Sequence, residues 1–230
     1  MTNVVIIGGG PGGYEAALVA AQLGGAVTLI ERRGLGGAAV LTDVVPSKTL
    51  IATAEVMTTM RGAHELGLRV GDLADLTDAF HVDLAAVNQR VLALAATQST
   101  DIEGRLRTEG VRLIDGVGKL YGTEHVVATT DEGEERLPAD IILVATGTTP
   151  RELPAARPDG ERILTWRQLY DLTELPEHLI VVGSGVTGAE FCNAYTELGV
   201  TVTVVASRDQ ILPHEDSDAA AVLEAGWYRT

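Results

Sequence analysis

The sequence is poor in cysteine and in long apolar runs, and each shortage excludes some classes of protein. Cys192 is the single cysteine, so no intrachain disulfide can form, and we expect a protein of a reducing, cytoplasmic compartment. No uncharged apolar run reaches the roughly 18 residues that would predict a membrane span. The first residues also lack the basic region and the apolar region of a secretory signal.

Positive charge is scarce as well. Seventeen Lys and Arg residues face 32 Asp and Glu residues, for a formal net charge of −15. This balance disfavours nucleic acid and anionic membrane surfaces as partners, and a soluble acidic surface explains it. Lys48 and Lys119 are the only lysines. At 230 residues, 46% of them hydrophobic, the chain can form one large domain or two small ones.

A glycine-rich turn lies near the N-terminus. A β-branched apolar run ends at Ile7, and Gly8, Gly10 and Gly13 follow at the spacing G-x-G-x-x-G. In such a turn the glycines permit a tight bend, close approach of a pyrophosphate, and close packing of helix on strand. The following helix offers free N–H groups and a positive dipole end to a phosphate.

The context of this turn matches a βαβ unit. A helix is predicted over Gly12–Leu23 and a second strand over Ala26–Ile30. Glu31 ends that strand, 18 residues after Gly13, where an acid accepts a hydrogen bond from a ribose hydroxyl. The alternative is a plain βαβ unit that binds no nucleotide.

A shift of 175 residues places the first unit on a second copy of itself. The shift aligns Gly8 with Gly183, Gly10 with Gly185, Gly13 with Gly188 and Glu15 with Glu190. It predicts a strand over Leu179–Val182, a helix over Val186–Leu198 and a strand over Thr201–Val205. Two fingerprints are far more specific than one, although a duplication that kept the fold and lost a ligand would leave the same pattern.

The acid of the first copy is absent from the second. The shift places Glu31 opposite Ala206 and Arg33 opposite Arg208. An acid at this position repels a 2′-phosphate, whereas Ser207 and Arg208 can donate to one. We therefore expect NADPH to be used at least as well as NADH; the alternative is that Arg208 is a solvated surface residue.

The sequence between the two copies alternates helical and strand-like patterns. Helices are predicted over Ser47–His64 and Leu84–Glu109, and a surface loop over Gly67–Phe80. The predicted strands are Val111–Ile114, Lys119–Tyr121, His125–Thr129 and Ile141–Val144, with Asp131–Glu135 as a hairpin turn. Prolines 150, 154 and 158 mark a linker, so we predict domains over residues 1–149 and 150–230.

The segment Ala145-Thr146-Gly147 after an apolar strand, flanked by the two fingerprints, resembles the pyridine nucleotide-disulfide oxidoreductases. These flavoproteins include lipoamide dehydrogenase and glutathione reductase. The resemblance implies FAD in the first unit and NAD(P)H in the second, and no metal site is predicted. The implied FAD contacts are Gly8, Gly10, Pro11, Gly12, Gly13, Glu31, Arg32, Gly37, Lys48, Gly118, Thr146 and Gly147. The implied NAD(P)H contacts are Gly183, Gly185, Val186, Thr187, Gly188, Glu190, Ser207 and Arg208.

One departure from the family pattern distinguishes disulfide reduction from quinone reduction. The family's redox motif has the form Gly-Gly-Thr-Cys-x4-Cys-x-Pro-Ser-Lys, and in the segment Gly36–Lys48 its two cysteines are Ala39 and Val44. Neither residue forms a thiolate, so dithiol–disulfide exchange is excluded. The pattern resembles the cysteine-less NAD(P)H:quinone reductases, with a quinone-like acceptor and with Lys48 beside the flavin ring, where a cation favours reduction.

The predicted fold class is α/β with two Rossmann-like units, FAD then NAD(P). Both units are expected to be incomplete, because in the family further strands, a flavin-contacting segment and a dimerisation domain would follow Thr230. A homodimer is implied for a full-length member and not for this chain. The rival hypotheses are a truncated, non-catalytic nucleotide-binding remnant, an enzyme with a disulfide substrate, and an NAD-binding sensor without flavin. The missing cysteines argue against the second rival and Glu31 against the third.

Overall fold

The computed structural model describes residues 1–69 and 80–227. The strands are β1 (Asn3–Ile7), β2 (Ala26–Glu31), β3 (Arg112–Asp115), β4 (Val117–Tyr121), β5 (His125–Thr130), β6 (Gly133–Pro138), β7 (Ile141–Val144), β8 (His178–Val182) and β9 (Thr201–Val205). The α-helices are α1 (Pro11–Gln22), α2 (Gly37–Leu41), α3 (Val44–Gly62), α4 (Leu84–Thr108), α5 (Val186–Glu197) and α6 (Ser217–Trp227). Short 3₁₀ turns cover Ala63–Leu66 and Trp166–Asp171.

The chain packs into two compact units, each built from two segments. The first unit contains residues 1–46 and 91–167, and the second contains residues 47–90 and those from 168 onward. This division groups residues that pack together, whereas the predicted division into residues 1–149 and 150–230 separates the FAD-binding part from the NAD(P)-binding part. The predicted boundary therefore stays a prediction.

The first unit is built on a parallel sheet in the order β3-β2-β1-β7. One face packs on α1 and the end of α4, where Ile6, Leu18 and Leu106 belong to one buried cluster. The other face packs under the antiparallel strands β4-β5-β6, where Ile7 and Val126 share a second cluster. Burial on both faces explains why β1 and β2 are nearly continuous apolar runs.

The second unit pairs β8 with β9 in parallel and packs α5 beside them. Phe191 and Tyr195 of α5 are buried, and the Phe191 ring lies 5.8 Å from that of Tyr170. One face of the two strands is exposed: Ile180 is 59% and Val182 64% accessible. The 175-residue shift maps this face onto the face of β1 that β4-β5-β6 covers.

The predicted repeat is confirmed residue by residue. Shifted by 175, the bounds of β1 and α1 coincide with those of β8 and α5. Asn3 pairs with Ala26 in the first unit, and His178 pairs with Thr201 in the second, which is the same register. Both helices end at a leucine followed by a left-handed glycine, at φ +85° for Gly24 and +102° for Gly199.

Three local predictions need correction. α2 was not expected. α3 begins at Val44 rather than Ser47, because Pro46 falls in its first turn, where no N–H is needed. The predicted turn Asp131–Glu135 is only two residues long, and β6 begins at Gly133, with the carboxylate of Glu135 accepting from Arg112 at 2.7 Å.

The predicted loop Gly67–Phe80 lies mostly outside the described residues. Within the described ranges, no helix combines the length and the apolar character that crossing a membrane requires.

Candidate dinucleotide-binding sites

Two glycines of the first fingerprint are required by the chain itself. Gly8 has φ +108°, and a Cβ there would lie 2.2 Å from the carbonyl oxygen of Ala145 at the end of β7. A Cβ on Gly13 would lie 1.8 Å from the carbonyl oxygen of Gly8. No side chain fits at either position, because the end of β7 lies this close to Gly8 and α1 passes this close to the turn that follows β1.

The third glycine of the fingerprint, Gly10, is not required by contacts within the chain. Gly10 has φ −71°, open to any L-residue, and its Cβ would meet only the Cα of Gly37, at 3.8 Å. Gly185, its counterpart, has φ −75° and nothing within 4 Å of the Cβ position. Both positions therefore leave space in front of the turn, where the fingerprint predicts the pyrophosphate.

The helix that follows each turn presents an open N-terminus. No side chain in the described part of the chain caps α1 or α5. Pro11 occupies the first turn of α1, where its missing N–H costs nothing, and Val186 and Thr187 occupy the matching positions of α5. The free N–H groups and the positive dipole end suit an anionic ligand.

Glu31 is fixed by the backbone around it. Its Oε2 accepts from the N–H of Gly9, and its Oε1 accepts from the N–H groups of Arg32 and Arg33, each at 2.7 Å. A carboxylate has about four acceptor sites, so one on Oε2 remains for a ribose hydroxyl. The sequence predicted the acid but not these three bonds, because Gly9 reaches it only through the fold.

The second unit repeats the backbone contacts around the glycine turn but has no acid equivalent to Glu31. The N–H of Gly183 donates to Val205 at 2.8 Å, as that of Gly8 donates to Ile30 at 2.9 Å. A Cβ on Gly188 would lie 2.2 Å from the carbonyl oxygen of Gly183.

At the end of β9, Ala206, Ser207 and Arg208 are all exposed. The fold thus places Ser207 and Arg208 at the positions equivalent to Arg32 and Arg33, beside the turn of their own unit.

The loop after the second strand docks on the fingerprint in both units. The N–H of Gly36 donates to the carbonyl of Gly9 at 2.8 Å, and that of Leu212 donates to the carbonyl of Ser184 at 2.7 Å. Both donors have left-handed backbones, at φ +98° for Gly36 and +48° for Leu212. Sequence reasoning missed this contact, because the spacing differs by one residue between the copies.

A polar cleft of about 670 Å³ opens beside the end of β2 in the first unit. Arg32 is the one residue of its lining that the resemblance implied. The other lining residues are Asp115, Gly116, Val117, Thr129, Thr130, Asp131 and Glu132. Through Arg32 the cleft adjoins Glu31, the next residue along the chain.

The remaining implied FAD contacts are of two kinds: glycines that allow close packing within the chain, and residues that are exposed. A Cβ on Gly118 would lie 3.0 Å from a methyl carbon of Ile7, so this glycine lets β4 cross the sheet. A Cβ on Gly37 would lie 2.6 Å from the Cα of Gly10, so Gly37 permits the close approach of α2. Thr146 and Gly147 are exposed after β7, with no atom within 4 Å of a Cβ on Gly147.

Lys48 and Glu190, predicted for different cofactors, form an ion pair in the second unit. The Nζ of Lys48 donates to Oε1 of Glu190, and the two side chains are 57% and 19% exposed. The pair joins α3 to α5. The Glu190 carboxylate thus offsets the positive charge of Lys48, a contact that the sequence did not indicate.

Cys192 lies in the interior of α5. The residue is 4% exposed, and burial raises the pKa of its thiol to about 11. Its sulfur is therefore protonated at neutral pH. Ala39 lies in α2 and Val44 begins α3, so the residues at the two redox positions of the family motif carry only hydrocarbon side chains.

Together these features define the chain as a nucleotide-binding α/β protein with two Rossmann-like units. A family model described as pyridine nucleotide-disulphide oxidoreductase matches residues 2–226, and the chain belongs to this family. The family comprises FAD-dependent oxidoreductases that use NAD(P)H.

Named relatives agree with this assignment. An NAD(P)H dehydrogenase (quinone) of Mycobacterium tuberculosis is 55% identical over 97% of the chain, which covers 46% of that protein. A dihydrolipoyl dehydrogenase of Chlorobaculum parvum is 37% identical over 96% of the chain, covering 46% of that protein. The crystal structure of LpdA from Mycobacterium tuberculosis matches with a TM-score of 0.90 and 53% identity, over the whole chain and 50% of LpdA. The chain thus spans about half the length of these relatives.

Proposed function

We propose that this chain carries the FAD site and part of the NAD(P)H site of an oxidoreductase that passes electrons from NAD(P)H to a quinone-like acceptor. FAD supplies the chemistry, because it takes a hydride from the nicotinamide and returns electrons to the acceptor. The observation that carries the proposal is the open space at Gly10 and Gly185. These glycines have ordinary φ values and room for a side chain, so the fold itself does not require glycine there, and the space lies where the fingerprint predicts a pyrophosphate.

The residues of the first unit fit FAD along its length. The N-terminus of α1 faces the pyrophosphate position, and the Oε2 of Glu31 retains one acceptor site for a ribose hydroxyl. The cleft beyond Arg32 takes the nucleoside end. The family resemblance adds Lys48, a residue of the second unit, as the cation beside the flavin ring, and its ammonium forms an ion pair with Glu190.

The residues at the two cysteine positions of the family motif indicate the kind of electron acceptor. Ala39 and Val44 form no thiolate, and the one thiol, Cys192, is buried and protonated. These residues offer no thiol to relay electrons from a bound flavin, so the acceptor would be a small molecule such as a quinone, and disulfide substrates such as lipoamide would not be reduced. A reducing compartment such as the cytoplasm suits this chain, and a homodimer is proposed only for a longer chain of this family.

A reciprocal pair of variants tests the proposal. Gly10→Val should abolish FAD retention and leave binding of pyridine nucleotide measurable. Gly185→Val should retain FAD and lose binding of NAD(P)H. Neither Cβ meets a closer atom than 3.8 Å, so both variants should fold, which circular dichroism checks. Equal flavin content and equal NAD(P)H binding in both variants and the parent would refute the assignment of the two units.

A further inference from the structure

In the first unit, the side of the sheet β4-β5-β6 that faces away from the parallel sheet carries a cation on each of its two edge strands. Val126 and Leu137 belong to the buried cluster on the inner side, so the residues that alternate with them lie on the outer side. One row of paired residues there consists of Lys119 on β4, Val127 on β5 and Arg136 on β6. Both cations are exposed, and two strand spacings, about 10 Å, separate their backbones.

Tyr121 lies on the same outer side and contacts the Arg136 side chain. The guanidinium carbon of Arg136 is 4.2 Å from the centre of the Tyr121 ring, although β5 lies between their strands. Tyr121 is 56% accessible, and no other aromatic side chain in the described ranges is exposed. Tyrosine and arginine are the residue types that most often dominate the binding energy of protein interfaces. We call Lys119, Tyr121, Val127 and Arg136 the cationic face.

Neither cation of the cationic face has an acidic partner in the part of the chain that the structure describes. By contrast, Arg112 of β3 donates two hydrogen bonds of 2.7 Å to Glu135. The ring contact restrains the guanidinium of Arg136, and none of its N–H groups donates to another described residue. A restrained planar fork with free donors suits a carboxylate, because less side-chain entropy is lost when the carboxylate binds.

We propose that the cationic face is a docking surface for an acidic peptide segment of another protein. Carboxylates of that segment bind Arg136 and Lys119, and its apolar side chains pack on Tyr121 and Val127. The formal net charge of −15 does not oppose this docking strongly, because at physiological salt exposed charges are screened beyond about 8 Å. Recognition therefore depends on the charges within the face itself.

Two synthetic peptides that differ only in charge test the surface. In one, glutamate alternates with leucine between serine-rich ends, and in the other glutamine replaces each glutamate. Binding to the whole chain is measured by NMR titration at about 0.15 M salt, the physiological ionic strength. We expect the acidic peptide to bind about tenfold more tightly, as charged hydrogen bonds imply, and to shift the amide signals of Lys119, Tyr121 and Arg136.

Three variants sharpen the test. Arg136→Gln should weaken binding of the acidic peptide about tenfold and leave the glutamine peptide unchanged. Arg112→Gln is the matched control and should leave binding unchanged, because this guanidinium already pairs with Glu135. Among the described strand residues on the outer side, Glu134 is the one acid, so Glu134→Gln should tighten binding, a gain that unfolding cannot produce.

Equal binding of the two peptides, or equal affinity of Arg136→Gln and the parent, would overturn the proposal. Signal shifts confined to the second unit would also overturn it, because they would assign the binding to the exposed face of β8 and β9. Binding of phosphatidylserine vesicles without binding of the acidic peptide would show that the surface contacts a membrane instead. None of these measurements requires FAD or NAD(P)H, so each outcome leaves the proposed function standing.

Discussion

Gly13→Ala should be among the most destabilising single-methyl changes in the first unit. The added Cβ would lie 1.8 Å from the carbonyl oxygen of Gly8, where ordinary contact requires about 3.4 Å. The Cβ is fixed rigidly to the backbone of α1 and the oxygen belongs to the backbone after β1, so the gap can open only by moving α1 away from the end of β1. Overpacking of a core costs about 1–3 kcal/mol, and a rigid backbone clash belongs at the upper end.

That cost is large beside the stability of a domain, about 5–15 kcal/mol. For a chain of this size each kcal/mol lowers the melting temperature by roughly 2–4 °C, so Gly13→Ala should lower it by about 6–12 °C. Thermal unfolding followed by circular dichroism, without added FAD, measures the change.

Gly12→Ala is the matched control. Gly12 is exposed, has no atom within 4 Å of a Cβ, and is replaced by Thr187 in the second unit. Alanine in this helical turn should raise stability by up to about 1 kcal/mol. Equal melting temperatures for Gly12→Ala and Gly13→Ala would show that the interlock of helix and turn does not determine the stability of this unit.

Three further outcomes are expected. Lys48→Met should slow flavin reduction by NADPH in anaerobic stopped-flow measurements, whereas Lys119→Met, a change at an exposed residue of β4, should not; equal slowing would remove Lys48 from the site. Burial raises the pKa of Cys192 to about 11 from 9.0, so iodoacetamide at pH 8 should react slowly with the folded chain and rapidly in urea; equal rates would contradict the buried thiol. Because the folded pKa is raised, the stability contributed by this thiol is complete below pH 9 and is lost as the pH rises through 11. Ile180→Thr should reduce binding of the dye ANS with little effect on stability, whereas Val5→Thr, its buried counterpart in the first unit, should destabilise the fold; equal unfolding by both would show that the two faces are equally covered.

The sequence predicted what is encoded locally. The two fingerprints, their strands and their helices follow from glycine spacing and apolar periodicity, and the 175-residue shift aligned β1 and α1 with β8 and α5. α2 and β6 were missed because one is a five-residue helix and the other is rich in exposed acidic residues.

The contacts that complete the sites could not be predicted in this way. Gly9 donates to Glu31 across 22 positions of sequence, and Lys48 pairs with Glu190 across 142. Such pairs depend on how whole elements pack. Periodicity within one element therefore carries no signal of them.

The two docking loops should be open for different fractions of the time. Leu212 has a left-handed backbone, which costs a residue with a side chain about 1–2 kcal/mol and costs Gly36 nothing. The bond from Leu212 to Ser184 is therefore partly offset, and its open state should be roughly 5–30 times more populated than that of its twin. Hydrogen exchange of these two amides would display the difference. The loop that is closed more of the time suits a ligand that stays bound, and the loop that opens more often suits one that exchanges.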